Sequence, residues 1–184
     1  RYETLTDFDG VTGLLQPYAQ WQWRWSDTWT MNTGVHAQML TLNWSYAIEP
    51  RWGLQWKVNP RHRISLAYGL HSQMASLDKY FLVVEDSLGN KEMPNTNLGF
   101  TKSHHVVLGY DWSLPFDMRF KAEAYYQYIY NAGIDSDSSS YSSLNVGSFS
   151  EGGPDRLVNG GTGTNYGIEL TFEKFLTKGY YWLL

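Results

Sequence analysis

Apolar and polar side chains alternate along most of this chain, and that period restricts the possible folds more than any other feature. The stretch "WTMNTGVHAQML" (29–40) shows it most clearly, because its odd-numbered residues are mostly apolar and its even-numbered residues from Thr30 to Gln38 are polar or small. A period of two residues is that of a β-strand and not of a helix. The polar face of this stretch carries few charges, and its apolar face begins with Trp29.

The same alternation recurs along the chain and predicts an all-β fold of about eight meandering, antiparallel strands. These strands are expected near 14–25, 29–40, 46–58, 62–73, 103–114, 118–130, 164–175 and 179–184. Tight turns alternate with longer links near 41–47, 74–103 and 131–163. Alternating short turns and long loops are typical of a transmembrane β-barrel, whose short turns are periplasmic and whose long loops are external.

The aromatic residues favour a membrane barrel over a soluble β-sandwich or soluble barrel. Aromatics make up 17% of the 184 residues, with nine Trp and 14 Tyr, and many of them lie towards the predicted strand ends. Two aromatic bands separated by aliphatic residues are what two membrane interfaces require. No apolar run approaches the roughly 20 residues of a membrane helix, but strands that face lipid with alternate residues need none.

Several functional classes find no support in the residues. The net charge is −4 and no cluster of Lys or Arg suggests a nucleic-acid partner. There are no cysteines, and no set of nucleophile, base and orienting residue suggests an enzyme. His104 and His105 are adjacent in a strand and therefore point to opposite faces, so they do not predict a metal site. No cofactor is predicted.

Two groups of residues are candidates for ligand binding. His36, Arg51, His71 and His105 lie on the polar face of predicted strands, where they would face a water-filled lumen. Tyr80, Phe81 and Tyr141 lie in the long loops, together with Phe100 and Phe149. Loop aromatics of this kind either stack on a sugar or peptide ligand or fold the loops onto themselves, and the sequence leaves both alternatives open.

Four stretches are more specific than the period alone. They are "YGLHSQM" (68–74), "KSHHVVLGYDWSL" (102–114), "KAEAYYQYIY" (121–130) and "GTGTNYGIELTFEKFLTKGYYWLL" (161–184). These stretches resemble the barrel of TonB-dependent outer-membrane receptors. The resemblance implies a barrel of about 22 strands filled by an N-terminal plug, in the outer membrane of a Gram-negative cell.

The resemblance also implies energised uptake of an external ligand, whose class (siderophore, glycan or peptide) the sequence leaves open. The implied partners are outer-membrane lipid and the TonB protein, which would contact a part of the receptor outside this chain. A surface lipoprotein is a further candidate. We expect a contiguous barrel segment with an incomplete last strand, so that residues 14–25 and 179–184 do not pair with each other.

Two other functions remain open from the residues. The first is a passive porin or a small structural outer-membrane barrel, either of which would lack a plug. The second is a soluble β-rich module that binds carbohydrate through its loop aromatics.

Overall fold

The structure is a computed structural model that describes residues 10–85, 88–137, 139–145, 154–177 and 179–184. Phe149 and Lys178 lie outside the described residues, so the prediction for Phe149 as a loop aromatic has no structural counterpart. Within the described ranges, no helix is long and apolar enough to cross a membrane.

Eleven strands and one short helix make up the described part of the chain. They are β1 (Leu14–Leu15), β2 (Tyr18–Arg24), β3 (Trp29–Leu40), β4 (Tyr46–Asn59), β5 (His62–Gln73), α1 (Leu77–Tyr80), β6 (Val84–Glu85), β7 (Lys91–Glu92), β8 (Thr101–Leu114), β9 (Met118–Asp135), β10 (Leu157–Thr177) and β11 (Tyr180–Leu183). This composition confirms the prediction of an all-β fold.

Nine strands form one antiparallel sheet, in the order β1-β3-β4-β5-β8-β9-β10-β11, with β2 paired to β3 beside β1. Strands β6 and β7 form a separate antiparallel pair between β5 and β8. Among the described residues, the first and last strands of the large sheet do not pair with each other, which confirms the expected open sheet. One end carries the tight turns at 25–28, 60–61 and 115–117, and we call it the short-turn end. The opposite end is the long-loop end.

The edge strand predicted near 14–25 is divided into β1 and β2. Both pieces pair with β3, through Leu14 to Leu40 and Tyr18 to His36. Pro17 lies at the break and has no backbone N–H to donate. Its carbonyl still accepts the N–H of Ala37 at 2.9 Å. The expectation of one unbroken strand was therefore wrong at this position. Residues on both sides of the break still pair with β3.

The long links are shorter than expected. Strand β9 runs to Asp135 and β10 begins at Leu157, so the loop expected at 131–163 covers only residues 136–156. The link expected at 41–47 is a tight turn, in which the N–H of Leu40 donates to the carbonyl of Ser45 at 2.9 Å. Strand β4 already begins at Tyr46, so two long links remain rather than three.

The two faces of the sheet differ in chemistry. On the apolar face, Trp29 and Trp56 stack with ring centroids 5.3 Å apart, and Phe172 contacts Trp182 at 4.8 Å. Both contacts lie near the short-turn end. The exposed Trp21 and Trp23 on this face are not covered by a second sheet, as they would be in a sandwich.

The buried apolar residues gather at the long-loop end rather than along either face. This cluster, called the loop core below, consists of Leu40, Ala47, Tyr80, Phe81, Leu98, Phe100 and Leu157. It joins the turn between β3 and β4, the segment between β5 and β8, and the first residue of β10. The loop core does not cover the polar face of the sheet, where a site can therefore form.

Candidate functional site

A concave pocket of about 350 Å³ lies on the polar face, between β2, β3, β4, β5 and β8. Small residues leave room along it: Gly34, Gly53, Ala67 and Gly69. Four of the seven predicted site residues line the pocket: His36, Arg51, His71 and His105. The structure thus brings the predicted polar-face residues together, whereas ligand binding by them stays a prediction.

The register of three strands places Arg51, Gly69 and His105 directly side by side. Arg51 is opposite Gly69, and Gly69 is in turn opposite His105. A Cβ atom at Gly69 would lie 2.7 Å from Nε2 of His71, so the ring of His71 occupies the space above this glycine. The rings of His71 and His105 meet edge to face, with centroids 6.2 Å apart. Gly69 is therefore what allows His71 to lie between its two polar neighbours.

Glu49 organises the polar groups beside the pocket. Its side chain is only 1% exposed, and its Oε2 accepts from Nη2 of Arg51 at 2.5 Å and lies 2.9 Å from Nδ1 of His36. Its Oε1 accepts from Nε2 of Gln38 at 2.6 Å and from the backbone N–H and hydroxyl of Ser72. Because a buried carboxylate is costly without donors, these bonds let the charge lie inside the wall.

The guanidinium of Arg51 is bonded on one side to Glu49 and is exposed to the pocket on the other side. The side chain of Arg51 is 46% exposed. Arg is a pure donor with five N–H groups in a planar fork, so donors remain for a ligand. The pocket therefore presents an oriented cation beside imidazole rings.

Sequence reasoning missed Glu49, although a signal was present. Glu49 precedes Arg51 by two residues and shares its face of β4. A tight turn centred near Asn43 would have placed it opposite His36, which is the observed pairing. Assigning a long link to residues 41–47 removed that inference.

The loop aromatics occupy the loop core. Tyr80 is 0% and Phe81 7% exposed, and Tyr141 packs against the same cluster. Burial raises the pKa of the Tyr80 hydroxyl above its usual range. Of the two alternatives for these residues, the structure shows loops folded onto themselves. Tyr80 and Phe81 have no face open for stacking on a ligand.

Asn95 fastens the loop core to the sheet. This residue is 0% exposed, and its Nδ2 donates to the carbonyl of Asp155 at 3.1 Å. Its Oδ1 accepts the backbone N–H of Leu157 at 2.8 Å. The segment between β5 and β8 is thereby tied to the start of β10.

His104 and His105 lie on opposite faces, as their adjacency predicts. Nδ1 of His104 is 2.9 Å from the hydroxyl of Tyr68, on the apolar face. His105 faces the pocket and meets the ring of Tyr125 at 6.3 Å. Within the described residues, no group of three His, Cys, Asp or Glu side chains is placed to hold a metal ion.

Comparisons with known proteins agree with this architecture. The family model "TonB dependent receptor-like, beta-barrel" matches residues 4–184. The crystal structure of the siderophore receptor PirA from Pseudomonas aeruginosa matches with a TM-score of 0.67 and 12% identity. That match covers 94% of this chain and 33% of the receptor chain, so this chain spans about a third of the receptor's length. No curated protein matches the chain.

Proposed function

Because this chain belongs to the TonB-dependent receptor-like β-barrel family, we propose that it forms part of the barrel wall of an outer-membrane receptor for energised ligand uptake. Barrels of this family lie in the outer membrane of Gram-negative bacteria, and the family consists of receptors and transporters rather than enzymes. The observation that carries the proposal is the family match, which extends over residues 4–184.

The two faces of the sheet support an orientation in the membrane. The apolar face, with its stacked Trp29 and Trp56 near the short-turn end, would contact lipid and the periplasmic interface. The polar face would line the lumen, and the loop core would lie on the external side. In this orientation, the pocket beside Arg51 opens into the lumen below the external loops.

The pocket supports recognition of an oxygen-rich ligand. Arg51 is a pure donor, and the rings of His36, His71 and His105 add nitrogen donors or acceptors around it. Carboxylate, hydroxyl and carbonyl oxygens of a ligand would match these groups. Siderophores, glycans and peptides all carry such oxygens, so ligands of all three classes match the pocket.

The TonB protein would supply the energy for uptake, and it would contact a part of the receptor outside this chain. A surface lipoprotein would be a further partner at the external end. Neither partner has a contact among the described residues that supports it, so both follow from family membership alone.

Uptake by cells that produce the complete receptor tests the proposal. Ferric siderophores, oligosaccharides and peptides are supplied in turn, each as the sole source of iron or carbon. We expect growth on at least one of them in cells with functional TonB and none on it in matched cells without TonB. Equal growth in both strains would contradict energised uptake and favour a passive porin.

A further inference from the structure

Within the strands that the structure describes, the apolar face of the large sheet carries two lysines. They are Lys102 near the start of β8 and Lys174 near the end of β10. Lys174 lies at the short-turn end, and its Nζ donates to the carbonyl of Phe116 at 2.7 Å and to Oγ1 of Thr177 at 2.8 Å. The same Nζ lies 5.1 Å from the ring centroid of Tyr180. Groups of the wall itself therefore satisfy the ammonium of Lys174.

Lys102 differs from Lys174 in its surroundings. It lies at the long-loop end, where it is half-buried and forms no ion pair with another described residue. A cation on the lipid-facing side of a barrel is costly at the middle of the membrane, and the cost falls to about 0–1 kcal/mol near the interfaces. Because Lys102 is the second residue of its strand, we expect its ammonium to lie among headgroups rather than acyl chains.

Hydroxyl and imidazole groups lie beside Lys102 on the same face. The ring of His104 stacks with those of Tyr68 on β5 and Tyr130 on β9, with centroids 6.0 and 5.3 Å apart. Tyr130 is directly opposite Lys102 in the ladder, and Tyr128 stacks on Tyr130 at 6.2 Å. Nδ1 of His104 is 2.9 Å from the hydroxyl of Tyr68. When Nδ1 accepts from that hydroxyl, Nε2 carries the ring proton and is a donor.

We propose that Lys102, His104, Tyr128 and Tyr130, called the external polar patch below, bind the phosphate of a lipid headgroup in the external leaflet. The inference rests on the proposed function only in taking the apolar face as lipid-facing and the long-loop end as external. Lys102 supplies the positive charge, while the imidazole and the hydroxyls supply hydrogen bonds. Lys102 and His104 are two residues apart, about 7 Å along the strand, so one headgroup can contact both.

The residues around the external polar patch favour a lipid over a free anion. Val106 and Leu108 continue the same face of β8 towards the middle of the sheet, and both are exposed. Tyr126 and Tyr166 are directly opposite each other on the neighbouring strands and are also exposed. An occupant with a phosphate at one end and acyl chains at the other matches the patch and the apolar surface together, whereas inorganic phosphate matches the patch alone.

Native mass spectrometry of the complete receptor in detergent micelles tests the inference. The probe is diphosphoryl lipid A, a glycolipid with two phosphates, and the fraction of receptor with one bound lipid is measured against lipid concentration. We expect Lys102→Gln to lower the affinity about fivefold, which corresponds to about 1 kcal/mol for one lysine near a membrane surface. Lipid A from which the phosphates have been removed should bind the native receptor as weakly as diphosphoryl lipid A binds the variant.

Two further variants serve as controls. Lys57→Gln removes the same charge from an exposed position on the polar face, so it should leave the affinity for the lipid unchanged. Lys102→Arg keeps the charge and should keep most of the affinity, which separates loss of the cation from a defect in folding. The readout involves no uptake, so it can fail while uptake succeeds, or succeed while uptake fails.

Three results would overturn the inference. The first is a loss of affinity in Lys102→Gln no greater than that in Lys57→Gln, which would mean that the lipid responds only to the net charge of the receptor. The second is equal binding of the lipid with and without its phosphates. The third is displacement of the lipid by millimolar inorganic phosphate, which would mean that the patch takes a free anion.

Discussion

Glu49 accepts the backbone N–H of Ser72 at 2.9 Å, although the regular pairing of β4 with β5 ends at Arg51 and Gly69. A side chain thus continues the link between the two strands where the backbone ladder stops. Pro50, which lies between Glu49 and Arg51, has no N–H to donate. The wall beside the pocket therefore depends on one buried carboxylate.

Removing that carboxylate should destabilise the wall. Glu49→Ala leaves Arg51, Gln38 and Ser72 without their shared acceptor, and we expect a loss of about 3 kcal/mol in the free energy of unfolding. Urea unfolding of the complete receptor in detergent measures it. Glu169→Ala is the matched control, because Glu169 is exposed on the same face and forms no ion pair with another described residue. Equal stability of the two variants would refute the role of Glu49.

Gly69 should be more sensitive to an added methyl group than Gly133, a glycine of β9 that does not line the pocket. In Gly69→Ala the new Cβ would lie 2.7 Å from Nε2 of His71 and would displace that ring from the pocket. In Gly133→Ala the nearest atom is Oγ of Ser143 at 3.7 Å, which is an ordinary contact. We expect ligand affinity to fall about tenfold, or about 1.4 kcal/mol, only for Gly69→Ala. A titration of whichever compound supports TonB-dependent growth measures this, and equal affinities would argue against a role for His71.

The polar wall of the pocket should contribute to uptake. Arg51→Ala should have a larger effect than His71→Ala or His105→Ala, because it removes the oriented cation. Initial uptake rates of the growth-supporting compound give the comparison. Gln127→Ala is the control, since Gln127 lies directly opposite His105 on the same face but does not line the pocket. Should the three pocket variants all transport at the normal rate, these residues are not the ligand site.

Asn95 should control the order of the loop core. Asn95→Ala removes the bonds to Asp155 and Leu157 and leaves a buried N–H without its acceptor, at a cost of about 1–3 kcal/mol. We expect faster proteolysis of the segment between β5 and β8 on intact cells. Asn145→Ala, an exposed residue of the other long loop, should leave that rate unchanged. A rate that is the same in both variants would contradict a fastened loop.

The alternation of side chains was sufficient to predict the sheet and its two faces. Within one strand, residues whose numbers are all odd or all even point to the same face of the sheet. Strand ends were harder. The start of β10 was not recognised because its register with β9 shifts twice between Asn159 and Gly163. The first shift places an extra residue in β10 and the second an extra residue in β9, and an extra residue reverses the alternation in the strand that contains it. Pro17 divided the first strand without turning the chain away from β3.

The site was predictable only in part. His36, Arg51, His71 and His105 shared the polar face by parity, but their closeness depends on the register between strands, which the turn at 41–45 helps to set. The burial of Tyr80 depends on Leu157, which is distant in sequence. No local pattern carries such a contact, so the choice between a ligand-stacking and a folded loop needed the structure.

The central claim is that adjacent residues of one strand face lipid and lumen. Val106 and Val107 test it most directly, because they are identical neighbours on β8, with Val106 paired to Tyr68 and Val107 lining the pocket. A nitroxide is attached to Val106→Cys or Val107→Cys in a cysteine-free background of the complete receptor in lipid bilayers. Collision with oxygen, which concentrates in lipid, should dominate at position 106, and collision with a water-soluble nickel chelate at position 107. Equal access of both reagents to the two positions, or the reverse order, would contradict the account.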